Sequence, residues 1–199
     1  SYQFKGVTSP VQIGTPADVY GGISKVGNST RENEITVSSG GPYTNAYGGR
    51  TDGTGTTEGD KYNSYKNKIT ISGATVTGTV YGGYTTSVNG TEKGAATQNE
   101  VNVTAGGAVN NVVGGYSAGD ATKNTVTIGA AVMGDVTGGV STAGVASDNT
   151  INLRANVAGN VTGGQGTATN DNKVNLEGIT VGGIISAGNN ATSGNTLTV

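Results

Sequence analysis

The sequence has no cysteine, no histidine and no tryptophan, only 3 prolines and 3 leucines, and charged residues fill just 12% of its 199 positions. Without Cys and His the chain cannot assemble the common zinc, haem, iron–sulfur or blue-copper sites, and it has neither a thiol nucleophile nor an imidazole base. No disulfide framework can form, which fits a chain that crosses membranes and folds outside without oxidative help. The balance of 11 Lys+Arg to 13 Asp+Glu leaves a net charge of −2, too little to attract nucleic acid or an anionic membrane. No run approaches the roughly 18 apolar residues of a membrane-spanning helix, and Ser1 to Pro10 does not read as a signal peptide. The expectation is a protein with no cofactor and no metal, with no nucleic-acid partner, and not itself membrane-spanning.

What is abundant is glycine, with 37 residues, and β-branched side chains, with 23 Val, 10 Ile and 31 Thr. That composition places the chain in the all-β class. An internal repeat gives the class a shape. An Asn followed by apolar residues two and four places later recurs seven times, at Asn33, Asn67, Asn99, Asn124, Asn149, Asn172 and Asn195, with spacings of 34, 32, 25, 25, 23 and 23 residues. A Gly-Gly pair forms a second landmark, read at Gly21, Gly48, Gly82, Gly114, Gly138, Gly163 and Gly182.

A period of this length built from strands means that each unit is one coil of a solenoid, unable to bury its inner face until its neighbours stack on it. Period-two alternation turns Ile35/Val37, Ile69/Ile71, Val101/Val103, Val126/Ile128, Ile151/Leu153, Val174/Leu176 and Leu197/Val199 inward as two apolar columns. A third column is Val19, Ala46, Val80, Val112, Val136 and Val161, and Val76, Val132 and Val157 lie four residues before their copies, giving about three short strands per coil. Glu34, Lys68 and Glu100 would then stack outward with alternating sign. The asparagines would form a ladder at a turn, where a short amide tolerates left-handed backbone, and the glycine pairs a second bend closed to side chains. Asp18, Asn45, Thr79, Asn111, Asp135 and Asn160 would form a polar column at a turn. Seven coils make a rod about 30 to 35 Å long. Residues 1–15 are expected to form an N-terminal cap or incomplete coil, and residues 16–199 a repeat domain that continues beyond Val199.

The segments Thr79-Val-Tyr-Gly-Gly-Tyr84, Asn111-Val-Val-Gly-Gly-Tyr-Ser-Ala-Gly-Asp-Ala-Thr-Lys-Asn-Thr-Val-Thr-Ile128 and Asn160-Val-Thr-Gly-Gly164 resemble the Gly-rich repeats of bacterial autotransporter passenger domains. The resemblance covers about residues 16 to 199. It implies a single-stranded right-handed parallel β-helix of about seven coils. It also implies export across the outer membrane by a C-terminal β-barrel, and a place on the bacterial cell surface or in the medium, often as an adhesin. The partner would be a host or bacterial surface protein or a glycan.

Function in a solenoid collects on its insertions. The two longest connections between a glycine pair and the next Asn, Arg50 to Lys66 and Tyr84 to Gln98, belong to adjacent coils and would lie side by side. Arg50, Lys61, Tyr62, Tyr65 and Tyr84 are the candidate ligand-binding residues there. All nine Tyr precede residue 117, and Tyr20, Tyr47 and Tyr81 share the position before the glycine pair, which makes an outward tyrosine ladder the second candidate. Such a strip could stack on sugar rings or anchor a protein partner; the plainer reading, which is preferred, is that stacked rings stabilise neighbouring coils. Asp52, Glu58 and Asp60 could hold calcium or form a solvated loop; neither the EF-hand pattern nor the Gly-rich nonapeptide calcium repeat is present. Sequons at Asn28, Asn89, Asn102 and Asn190 are what abundant Asn and Thr produce by chance.

The leading expectation is a non-catalytic surface or secreted module for adhesion or cell–cell contact, with self-association along the solenoid as a further contact. The alternatives are a purely structural stalk or a polysaccharide-processing β-helix enzyme, for which the acidic residues are too scattered to form an evident pair. Ice binding by outward Thr columns fails on regularity, because Asn, Glu and Lys interrupt them.

Overall fold

In the computed structural model the described residues are 17–25, 29–53 and 62–199. The expected cap at residues 1–15, and Glu58, Asp60 and Lys61, lie outside them. The described residues form strands and no helix, so no helix is long and apolar enough to cross a membrane.

Nearly all the strands fall into three parallel sheets, each adding its strands in chain order. The first sheet runs Glu34–Val37, Lys68–Ile71, Glu100–Val103, Thr125–Ile128, Thr150–Leu153, Lys173–Leu176 and Thr196–Thr198. The second runs Val19–Tyr20, Ala46–Thr51, Thr75–Thr85, Ala108–Ser117, Val136–Ser141, Val161–Gln165 and Ile185–Ser186, with Ile23–Ser24 also paired to Ala46–Thr51. The third runs Thr30–Arg31, Ser64–Tyr65, Ala96–Thr97, Ala121–Thr122, Val145–Ser147, Ala168–Asn170 and Ala191–Ser193. Stacked parallel sheets that receive one strand each per repeat fit a β-solenoid, and the expected three strands per repeat are present. Among the described residues the one antiparallel element is a hairpin, Val88–Asn89 with Glu92–Lys93, in the second long insertion.

The register is the one that the repeat demands. Ile35 pairs with Ile69, Ile69 with Val101, Val101 with Val126, Val126 with Ile151 and Ile151 with Val174. These residues, with Val37, Ile71, Val103, Ile128, Leu153 and the Val80, Val112, Val136 and Val161 column, form one buried core. Removal of this apolar area from water is the main force holding the repeats together. A fourth column, Tyr43, Val76, Val109, Val132, Val157 and Val181, is joined by further parallel pairing; Tyr43, Val109 and Val181 extend the set anticipated from sequence. Leu197 departs from the pattern, at 47% exposure, because its strand, Thr196–Thr198, pairs on one side only; Val199, outside that strand, is 93% exposed.

Inside the molecule the asparagines form a continuous ladder. The side-chain amides of Asn33, Asn67, Asn99, Asn124, Asn149 and Asn172 each donate to Oδ1 of the next, at 2.6 to 3.0 Å. The same oxygens accept the backbone N–H of the preceding Asn. Two expectations need correction here. The left-handed backbone belongs to the residue before each Asn: Glu32, Lys66, Gln98, Lys123, Asp148 and Asp171, with φ of 51° to 57°. That frees the amide to turn inward and be buried. The glycine pairs are also not a separate bend. A Cβ on the second glycine would meet the ladder amide itself, as Gly49 would meet Asn67 at 2.4 Å, and a Cβ on the first would meet the next repeat's carbonyl, as Gly48 would meet Gly82 O at 2.5 Å. The two landmarks are the facing halves of one packed corner.

The last glycine landmark is also corrected. Val161 pairs with Ile185 and Thr162 with Ser186, so Ala187 and Gly188, not Gly182 and Gly183, occupy the seventh pair. The polar column that starts at Asp18 does form a second ladder: Asp18 Oδ1 accepts from Asn45 N, Asn45 Oδ1 from Thr79 N, Asn111 Oδ1 from Asp135 N, and Asp135 Oδ1 from Asn160 N.

Candidate functional site

The second sheet carries its glycine pairs between two outward positions, so residues three apart in sequence share one face. Pairing sets Tyr20 beside Tyr47 and Tyr47 beside Tyr81, and it sets Arg50 beside Tyr84 and Tyr84 beside Tyr116. Two adjacent columns of large side chains result. Tyr20, Tyr47 and Tyr81 stack at centroid distances of 5.1 Å with ring planes within 7°, and Tyr84 and Tyr116 stack at 5.0 Å and 11°. Between columns the rings meet edge on: Tyr47 with Tyr84 at 5.6 Å and 80°, Tyr81 with Tyr84 at 5.1 Å and 75°, and Tyr81 with Tyr116 at 6.3 Å and 83°. The whole is a herringbone of five rings, and each such contact contributes about 0.5 to 1.5 kcal/mol beyond area burial.

Arg50 closes the cluster. Its guanidinium lies 4.9 Å from the Tyr47 centroid, 5.3 Å from Tyr84 and 5.9 Å from Tyr20. Nη1 donates to the Tyr47 hydroxyl at 3.2 Å and the Tyr20 hydroxyl at 3.4 Å, and Nε donates to Asp52 Oδ1 at 2.8 Å. Asp18 Oδ2 lies 3.6 Å from Nη1 and accepts from the Tyr20 hydroxyl at 3.0 Å. Burial pushes the Tyr47 phenol well above the ordinary value against the pull of Arg50, and burial also raises Tyr20, Tyr81 and Tyr84. Burial works against the Arg50 charge, but the hydrogen bond to Asp52 and the neighbouring Tyr47 outweigh it and hold the guanidinium above its ordinary range. Tyr20, Tyr47, Tyr81 and Tyr84 are therefore neutral and the arginine charged throughout the physiological range.

Five of the eight candidate residues, Arg50, Tyr84, Tyr20, Tyr47 and Tyr81, meet in this one cluster. Of the other three, Tyr62 and Tyr65 do not join it. Tyr62 is buried, at 3% exposure, and its carbonyl accepts from Thr85 Oγ1 at 2.9 Å. Tyr65 lies in the third sheet between Arg31 and Thr97, with the Lys66 ammonium 5.1 Å from its ring. Lys61 is outside the described residues. Tyr47 points to the outward side as expected, yet neighbours cover it to 5% exposure. Tyr116 is the residue that the sequence reading missed; its signal was the Gly-Gly-Tyr at 82–84 repeated at 114–116.

The described parts of the two long insertions do lie side by side. Besides the Thr85 contact, Ala95 N donates to Asn63 Oδ1 at 2.9 Å, and Ser87 Oγ donates to the carbonyl of Gly53. Asp52, a candidate calcium ligand, is engaged by Arg50, and among the described residues no group of three acidic side chains is placed to hold a metal ion. The outward charges align as expected, with Lys68 Nζ 3.9 Å from Glu34 and 3.6 Å from Glu100; exposed pairs of this kind add little stability.

Comparison with models of protein families, with curated proteins and with solved structures finds no match.

Proposed function

We propose that the chain is a single-stranded right-handed parallel β-helix of about seven coils and a non-catalytic module of the autotransporter-passenger type. On this reading it is exported across the outer membrane, displayed on the bacterial surface or released, and holds a protein partner through the tyrosine and arginine face. The observation that carries the reading is the five-ring cluster closed by Arg50. Tyr and Arg are the residues that dominate binding energy at protein interfaces, and rigid rings lose little entropy on contact.

The ring geometry favours a protein over a sugar. A sugar platform needs an open ring face, whereas Tyr47 has Tyr20 on one side, Tyr81 on the other and Arg50 close to its ring. What remains for a partner is ring edges, hydroxyls and the flanking Val113 and Val140 of the same columns.

A second reading is favoured by the same burial of Tyr47: the ladder exists to bind coil to coil, and the rod is a stalk. Adhesion of cells displaying the full-length protein separates the two. Under the binding reading, Tyr84→Ser together with Tyr116→Ser lowers adhesion at least tenfold while the circular dichroism of the purified chain is unchanged. Undiminished adhesion with a lowered unfolding temperature would establish the stalk. Cleavage of a polysaccharide by the purified chain would overturn both.

A further inference from the structure

Three tyrosine pairs stack between neighbouring repeats among the described residues, and they are not chemically equivalent. Two of them contain Tyr47, which is covered and whose hydroxyl is held by Arg50. The third, Tyr84 with Tyr116, has both rings half-buried, nearly parallel and 5.0 Å apart. No hydrogen bond engages either hydroxyl among the described residues. The two side chains rise from directly paired positions on adjacent strands, and both are partly exposed to solvent.

We infer that Tyr84 and Tyr116 form a site of oxidative coupling, at which a haem peroxidase with hydrogen peroxide joins the two rings by a carbon–carbon bond. Each phenol loses one electron and its proton to the oxidant, giving two neutral phenoxyl radicals with spin at the carbons ortho to oxygen. Those carbons couple, and the two ring hydrogens at the new bond leave as the rings regain aromaticity, with the phenols restored. Two tyrosines and one hydrogen peroxide give one dityrosine and two waters. The product is a covalent staple between adjacent repeats in a chain that has no cysteine to make one. This inference rests on the placement of the pair and is independent of any binding partner.

Tyr47 sets the contrast. Its ring stacks equally well, but at 5% exposure it is closed to a bulky oxidant, and both of the other stacked pairs contain it. The reaction is therefore selective for one pair out of three.

The test treats the dilute full chain with peroxidase and stoichiometric hydrogen peroxide. Dityrosine fluorescence, gel mobility and mass spectrometry of the digest are then recorded. The expected result is a monomeric product whose linked peptides contain Tyr84 and Tyr116, two hydrogens lighter than their sum, with a raised unfolding temperature. Tyr116→Phe keeps the stacked ring but removes the phenol, and should lower the yield at least tenfold, whereas Tyr20→Phe should leave it unchanged. Linkage that maps to other tyrosines, a product that is mainly intermolecular, or an undiminished yield in Tyr116→Phe would overturn the inference.

Discussion

The side-chain amide of Asn99 donates to Oδ1 of Asn124 at 3.0 Å, and the backbone N–H of Asn99 donates to the same oxygen at 3.0 Å. One buried oxygen thus satisfies two donors of the preceding repeat, while Asn124 Nδ2 reaches Asn149 Oδ1 and Ala96 O, both at 3.0 Å. Every polar valence of the corner is met only because the same residue stands in the next repeat.

Asn124→Ala is therefore expected to cost about 3 to 4 kcal/mol, more than a lone hydrogen bond, because it leaves the Asn99 N–H buried without an acceptor. Urea unfolding of the variant, against a Thr127→Ala control on the outer face, checks this. A loss under about 1 kcal/mol would mean that water replaces the ladder.

The glycines opposite the ladder have a second, steric prediction. A Cβ at Gly115 would lie 2.5 Å from Asn124 Nδ2, which its bonds hold in place, whereas a Cβ at Gly90 in the hairpin turn meets nothing within 4 Å and only its φ of 58° opposes a side chain. Gly115→Ala should destabilise by more than about 2 kcal/mol, and Gly90→Ala by about 1 kcal/mol. Thermal unfolding of the two variants in parallel separates packing from backbone preference.

The core was legible because stacking imposes one residue type at one register: Ile35, Ile69, Val101 and Val126 follow from counting two places past each Asn, and each is buried. The corner was only half legible. Gly and Asn mark it, but nothing in a linear spacing says that Gly49 and Asn67, 18 positions apart, touch. Gly182 misled because a Gly-Gly pair is an incomplete signature; the strand pairing of Ile185 with Val161 identifies Ala187 and Gly188 instead. The tyrosine ladder could be read from a shared offset to the glycine pair. The second column could not, since Arg50, Tyr84 and Tyr116 align only once the pair is known to place residues three apart on one face. Tyr62 was chosen for its chemistry, and its 3% exposure is not written in its local sequence.

A third prediction concerns the residue before each Asn. Lys123 holds φ of 57°, a conformation that costs a side-chain-bearing residue about 1 kcal/mol relative to glycine. Lys123→Gly should therefore stabilise the protein by about 0.5 to 1 kcal/mol, the reverse of the usual effect of glycine in a β-rich segment. A lowered urea midpoint would show that its side chain makes contacts outweighing the backbone cost.

The tyrosine cluster predicts how the protein fails in alkali. Burial raises the Tyr47 phenol above the ordinary value of 10.0, so folding favours the protonated form, and that contribution is fully present below pH 10. As pH rises past 10 the unfolded chain releases protons that the folded chain retains, and stability falls. Tyr47, 5% exposed, contributes a slope of at most about 1.4 kcal/mol per pH unit over that interval, with Tyr20, Tyr81 and Tyr84 acting in the same direction. Tyr47→Phe keeps the stack and removes the titration. Its urea midpoint should lie below that of the parent at pH 8, where the hydrogen bond from Arg50 is lost, and should decline less steeply from pH 10 upward. Equal slopes for parent and variant would show that Tyr47 ionises in the folded state as readily as in the unfolded chain.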